Sequence, residues 1–234
     1  MVQIEFVKMT GFYVSSVKPL VYTLFKKGLM IKIIRLFARM TISKKIFFLR
    51  GGVSRIKTIT FYQVLFKKMG LSSIIIRPLF ITPEFISIGN KVKIWHDSRI
   101  EGVDKYAGKL FSPQIVLGDG VEIQQRVHIT AVSFLVIGNN TSILPDVLIT
   151  DIDHPYNDIY TAKGEQRIVY KKTSIGENCS IGAGAKILAG SIIGDNCIIG
   201  ANSVVKGSFP AGCVIAGLPA KIIRQYDYSL KKWL

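Results

Sequence analysis

Aliphatic side chains recur at every sixth position through the last third of the chain. Ile175, Ile181, Ile187, Ile193, Ile199 and Val205 hold this beat without a miss, and Gly176, Gly182, Gly194 and Gly200 follow four of them directly. An amphipathic helix repeats its apolar residues three to four apart and a half-buried strand two apart, so a period of six fits neither. It fits a solenoid, in which each repeat is one short flat edge of a coil and successive coils bury one another's apolar side.

The beat continues backwards in triplets at Ile88, Ile94, Ile100; at Leu117, Ile123, Ile129; and at Ile137, Ile143, Ile149. One triplet spans eighteen residues, a three-edged turn. The triplet starts at 88, 117, 137, 175 and 193 are 29, 20, 38 and 18 apart, which leaves surpluses of 11, 2, 20 and 0. The pattern therefore predicts stacked coils over 85–217, with an insertion near 104–114 and a longer one over 155–174.

Residues 1–84 follow a different pattern. The stretch 14–39 mixes Leu20, Leu24, Phe25, Ile31, Ile34 and Phe37 with Lys26, Lys27, Lys32, Arg35 and Arg39, and 56–69 repeats the mixture with Ile59, Tyr62, Leu65 and Phe66 beside Lys67 and Lys68. This predicts a basic, partly helical N-terminal lobe, with 218–234 as a C-terminal tail or short helix. Charges interrupt each apolar run well short of the roughly 20 residues that a spanning helix needs. No basic start precedes a clean apolar run with a cleavage site, so a secretory signal is not expected.

Charge placement sharpens the division. Of 31 Lys and Arg in the chain, fifteen fall in 1–84 against two acidic residues, Glu5 and Glu84, so most of the net +16 sits in the lobe. Two readings follow. The lobe can lie on an anionic membrane surface, where each Lys or Arg contributes on the order of 1 kcal/mol. Alternatively it caps the open end of the first coil, as a solenoid requires. No nucleic-acid module is visible, and nucleic acid is not an expected partner. Three cysteines exclude a disulfide scaffold. Cys179 and Cys197 stand one turn apart, and buried thiols in a reducing compartment are expected there.

The segment IGENCSIGAGAKILAGSIIGDNCIIGANSVVK, with the later AGLPAKIIR, resembles the hexapeptide-repeat acyltransferases. The resemblance spans about 88–224 and implies a mainly β fold, a left-handed parallel β-helix. The hand comes from the resemblance, because crossovers in ordinary parallel sheets are right-handed. The run QQRVHITAVSFLVIGNNTSILPDVLITDIDHPY is most similar to sugar O-acetyltransferases of exopolysaccharide and lipopolysaccharide biosynthesis.

The chemistry then narrows to three histidines, His96, His128 and His154. Related β-helices of the γ-class carbonic anhydrases pair two zinc ligands five residues apart. Gaps of 32 and 26 here, with no CxxC or HxxxH, argue against a metal. His154 closes the coil begun by Ile137, immediately before the twenty-residue insertion. Imidazole is the side chain suited to proton transfer near neutral pH. The resemblance makes His154, followed by Pro155, the catalytic residue. His128 reads as a structural or groove residue.

The remaining assignments also rest on the resemblance. Gln124 stands where relatives often have an Asn that contacts the acceptor. Many exopolysaccharide relatives have a second His where this chain has Ile152, which leaves Asp151 and Asp153 as candidates for meeting the substrate or orienting the imidazole. Ala183 and Ala201 match positions whose backbone contacts the pantetheine arm, and small residues permit that approach. Lys221 and Arg224 match basic residues near the nucleotide phosphates of the cofactor, and Lys206 stands one position away from a third.

The implied reaction is direct acetyl transfer from acetyl-CoA to a saccharide hydroxyl, without an acyl-enzyme or metal. The implied assembly is a homotrimer with sites between subunits, cytoplasmic and peripheral on the inner membrane through 1–84. An N-acetyltransferase of an amino-sugar nucleotide and an antibiotic-modifying acetyltransferase share the scaffold and remain as alternatives.

Overall fold

The computed structural model describes Arg35 and residues 37–162 and 164–234. The chain divides into two units, Met1–Gly52 and Val53–Leu234. Most of the basic stretch 14–39, and with it much of the expected lobe, lies outside the described residues. In the first unit a helix starts at Ile42; it ends at Lys57 in the second unit. No described helix is long and apolar enough to cross a membrane.

The second unit is built from three parallel sheets that the chain visits in turn. The first contains Lys68–Met69, Ile86–Ile88, Gln114–Leu117, Phe134–Ile137, Thr173–Ile175, Ile192–Ile193 and Ser208–Phe209. The second contains Ile74–Ile75, Lys93–Ile94, Glu122–Ile123, Ser142–Ile143, Ser180–Ile181, Ile198–Ile199 and Cys213–Gly217. The third runs through Phe80–Ile81, Arg99–Gly102, His128–Ala131, Leu148–Thr150, Lys186–Ile187 and Val204–Val205.

Register follows the sixfold beat. Ile88 pairs with Leu117, Leu117 with Ile137, Ile137 with Ile175 and Ile175 with Ile193. These residues point inward and are almost wholly buried, as are their counterparts Ile123, Ile143, Ile181 and Ile199 on the second sheet. Each coil closes its neighbour's apolar edge, which is the interaction that stabilises a solenoid.

The glycines after these residues have a packing cause. A Cβ on Gly138 would lie 2.5 Å from the carbonyl carbon of Gly176 and 2.6 Å from the Glu177 nitrogen. The corner backbone of one coil rests on the next, and only hydrogen fits between them. Three residues after the inward position, corners take positive φ, at Asn140 (56°) and Gly184 (72°). Asn and Gly are the residue types that enter that region most readily.

Two expected boundaries move. The first coil forms from residues 68–81, ahead of the expected start at 85, with Met69 on Ile88, Ile75 on Ile94 and Ile81 on Ile100. Met69–Gly70 follows the same inward-then-glycine rule with Met in the aliphatic place, and the neighbouring Leu71, Ile76 and Leu79 obscure the period. Above this coil, Phe66 and Tyr62 pack on the core. The Thr58 hydroxyl donates to the Ser54 carbonyl at 2.7 Å and accepts the Ile75 N–H at 3.1 Å. This end of the solenoid is therefore capped by residues 54–66.

The expected C-terminal helix is instead an antiparallel strand. Ala220–Asp227 reverses onto Cys213–Gly217, and Lys232–Trp233 pairs back on Tyr226–Asp227. Consecutive β-branched Ile222 and Ile223 favour an extended chain, and the last coil would otherwise leave an open edge on the second sheet.

All three surpluses fall at one corner, between the third sheet and the first. Between coils two and three this corner grows a hairpin, Lys105–Tyr106 against Lys109–Leu110. Between coils three and four it carries the short surplus at residues 132–133, between strands His128–Ala131 and Phe134–Ile137. Between coils four and five it sends out the long arm, whose base is Ile152–Asp153 paired antiparallel with Val169–Tyr170.

Candidate active site

His154 stands at the base of that arm, exposed to solvent. The hairpin reaches it: the rings of Tyr106 and His154 meet edge to face, with centroids 6.0 Å apart and planes at 62°. The backbone N–H of His154 donates to Asp153 Oδ1 at 2.9 Å, and Lys206 Nζ donates to Asp153 Oδ2 at 3.1 Å. The Lys206 ammonium holds the Asp153 carboxyl below its ordinary range. Asp153 therefore fixes the backbone beside the imidazole through an ion pair.

Asp151 is placed differently from expectation. It is fully buried and accepts the N–H groups of Val132 at 2.9 Å and Ser133 at 2.8 Å. Burial pushes its carboxyl up, against the downward pull of those donors. The short surplus at 132–133 thus exists as a turn folded around this carboxylate, and both Asp151 oxygens are already engaged with backbone. The assignment of Asp151 to substrate is corrected on that ground: it is a structural anchor of the turn at 132–133.

The expected cofactor and acceptor residues gather at another corner. Gln124, Ala183 and Ala201 follow the second-sheet strands Glu122–Ile123, Ser180–Ile181 and Ile198–Ile199. Asn202 N–H donates to the Ala183 carbonyl at 2.9 Å, so the small residues form a continuous ridge. Lys221 pairs with Ala216, which packs beside Gly200, and Arg224 pairs with Val214. Lys221 and Arg224 are exposed on the outer strand of the second sheet. Within one chain, then, the ridge and the His154 corner lie on different edges of the prism, and Lys206 belongs with His154 and not with the ridge.

The other histidines sit elsewhere. His96 Nδ1 lies 2.7 Å from Asp97 Oδ2 at the second-sheet corner. His128 is half-buried on the outer face of the third sheet between Arg99 and Leu148; its Nε2 is buried without a hydrogen-bond partner. Burial first, and Arg99 second, hold its imidazole below its ordinary value. Sequence reasoning missed Tyr106. Its signal was the eleven-residue surplus, which shares its corner with the insertion after His154.

Comparisons with known proteins agree with the fold. Residues 172–207 match the bacterial transferase hexapeptide family, six repeats. The chain is 36% identical over 126 residues to WbbJ of Escherichia coli (strain K12), assigned as a lipopolysaccharide biosynthesis O-acetyl transferase, covering 51% of this chain and 64% of WbbJ. It is 28% identical over 139 residues to serine acetyltransferase 2 of Arabidopsis thaliana, covering 56% of this chain and 39% of the relative. The chain thus spans less than two thirds of the length of either relative. Among solved structures, AntD, an N-acyltransferase from Bacillus cereus in complex with dTDP and 3-hydroxybutyryl-CoA, superposes with a TM-score of 0.54 at 19% identity, covering 72% of this chain and 87% of AntD. On its repeats, its stacked register and these likenesses, the chain has the left-handed parallel β-helix fold of the hexapeptide-repeat acyltransferases.

Proposed function

We propose that the protein is an acetyl-CoA-dependent O-acetyltransferase that acts on a saccharide hydroxyl, with His154 as general base. One observation carries the reading: an exposed imidazole stands at the single corner where every insertion falls, its ring met by Tyr106 and its backbone N–H held by the Asp153–Lys206 pair. An imidazole nitrogen takes the hydroxyl proton as the oxygen attacks the thioester carbonyl. The tetrahedral oxyanion collapses, the C–S bond breaks, and the imidazolium returns its proton to the CoA thiolate. The products are an acetyl ester and CoA. WbbJ favours O-transfer over the N-transfer of AntD, because its likeness extends to 36% identity.

The donor would lie along the Ala183–Ala201 ridge, with Lys221 and Arg224 toward its phosphates, and Gln124 would meet the acceptor. This ridge and His154 occupy different corners of one chain. A cyclic homotrimer that sets the ridge of one subunit against the His154 corner of the next completes the site, and a concave site is what a flat sheet face alone lacks. A cytoplasmic location with peripheral membrane contact through residues 1–84 suits a lipid-linked or membrane-side glycan acceptor.

The test is His154→Ala in an assay of CoA release with saccharide acceptors. Transfer should fall by at least about two orders of magnitude, the usual contribution of a general base, with unchanged melting. Alkali-labile product identifies an ester, and alkali-stable product an amide. Near-normal turnover in the variant overturns the assignment.

A further inference from the structure

Between the two long insertions lies an open cleft of about 510 Å³. One wall is the hairpin side, with Lys109 and Phe111; the other is the returning strand of the arm, with Tyr170 and Lys172; Ser133 and Phe134 form the floor. Its volume lies in the range of roughly 300–1,000 Å³ typical of small-molecule sites. Phe111 and Tyr170 meet edge to face across it, with centroids 5.9 Å apart and planes at 89°.

The charges in the cleft are of one sign. No Asp or Glu lines it. Among the described residues neither Lys109 nor Lys172 forms an ion pair. Each ammonium instead stands over a ring, Lys109 at 5.4 Å from Phe111 and Lys172 at 5.7 Å from Phe134. Such a contact is weak at an exposed site, so an incoming anion can readily draw both lysines to itself. Aromatic surface together with the polar side chains of Ser112, Ser133 and Gln114 suits a ligand with C–H faces and hydroxyl edges, which describes a pyranose.

The cleft is joined to the catalytic corner through its walls. Tyr106, whose ring meets His154, pairs with Lys109 in the hairpin, and Val169 pairs with Asp153 at the base of the arm. From these observations we infer that the cleft is an acceptor subsite that selects a saccharide bearing a negative charge, a uronate carboxylate or a sugar phosphate. The sugar ring rests on Phe134 and Tyr170, and its anionic group is held by Lys109 and Lys172. This inference rests on the reading of His154 as the base that deprotonates the acceptor.

Binding of the full chain is measured by calorimetry with three probes: an oligogalacturonate, UDP-glucose, and uncharged maltotriose. At least one anionic probe binds, maltotriose binds more weakly, and the two anionic arms distinguish carboxylate from phosphate. In the Lys109→Ala, Lys172→Ala double variant the anionic probe weakens by at least about tenfold, whereas Lys→Arg at both positions stays within about threefold, because the charge remains. Raising salt from about 0.05 to 0.5 M weakens the anionic probe in the wild type, since screening shortens the reach of exposed charges. Equal binding of maltotriose, unchanged binding in the double variant, or no binding of either anionic probe overturns the inference. His154→Ala separates the two readings: it keeps probe binding and loses transfer. If it transfers normally while the lysine variants still lose binding, the catalytic reading falls and the cleft stands.

Discussion

Lys206 reaches past a whole coil to Asp153, its ammonium 3.1 Å from Oδ2, while Oδ1 of the same carboxylate receives the backbone N–H of His154. The sixth coil thereby braces the point in the fourth where the candidate base leaves the solenoid. The pair is solvated, with side chains 58% and 53% exposed, so its contribution to stability is about 0–1 kcal/mol. Its effect is to position the His154 backbone.

Replacing Lys206 with Met removes the bridge. The Asp153 carboxyl is lowered in the folded state, so its contribution is present above the ordinary Asp value of about 3.9 and is lost as pH falls through the lower folded value. Thermal melts of wild type and Lys206→Met should therefore differ by only a few degrees at pH 7 and converge as pH falls below the ordinary Asp value. A difference that grows in acid would rule out this origin.

Asp151 predicts a larger effect. In Asp151→Ala the N–H groups of Val132 and Ser133 lose their acceptors in a buried turn, at a cost of about 1–3 kcal/mol for each unsatisfied group. Asp151→Asn keeps one acceptor oxygen and should lose less. Urea unfolding orders the three proteins, and transfer should fall with stability, since Asp151 lies in the same short segment as His154, three residues before it. Equal midpoints for wild type and the Ala variant would show that the turn holds without its carboxylate.

The coils were legible because burial and periodicity coincide: Ile137, Ile143 and Ile149 are inward, buried and six apart. The first coil was not, since Met69 stands in place of an aliphatic residue and Leu71 and Leu79, both exposed, break the visible rhythm. The C-terminal strand was missed because its partner, Cys213–Gly217, becomes an edge only once the solenoid stops. The place of His154, at the foot of the long insertion, was legible from phase; its role as base came from the resemblance. Tyr106 and the cleft were not, because contacts between two insertions carry no period. Asp151 looked like Asp153 in sequence, yet one is buried around a turn and the other is solvated. Alternation along the chain does not separate them at a corner.

The close approach of coils predicts that Gly138→Val disrupts the solenoid. Its new side chain would meet the Gly176–Glu177 backbone, which starts only 2.5 Å from the Cβ, and overpacking against backbone costs roughly 1–3 kcal/mol or more. Gly51→Ala provides the contrast. It lies in the helix Ile42–Lys57 with nothing near its Cβ, and should leave stability unchanged or raise it by about 0.5–1 kcal/mol. Melting temperatures that fall equally for both would refute the packing account of the glycines.

The separation of His154 from the Ala183–Ala201 ridge predicts complementation between two inactive proteins. His154→Ala lacks the base but keeps its ridge; Ala201→Trp keeps the base but blocks the exposed ridge with a bulky ring. If the site spans two subunits, co-refolding equal amounts gives mixed oligomers in which about a quarter of the interfaces pair an intact His154 corner with an intact ridge, by random assortment in a closed ring. CoA release should recover toward that fraction of wild type, while each variant alone stays inactive. Light scattering and native mass spectrometry report whether the oligomers are trimers and whether subunits have mixed. Mixed oligomers without recovered activity would place base and donor within one chain, and the ridge would then lose its role as the donor site.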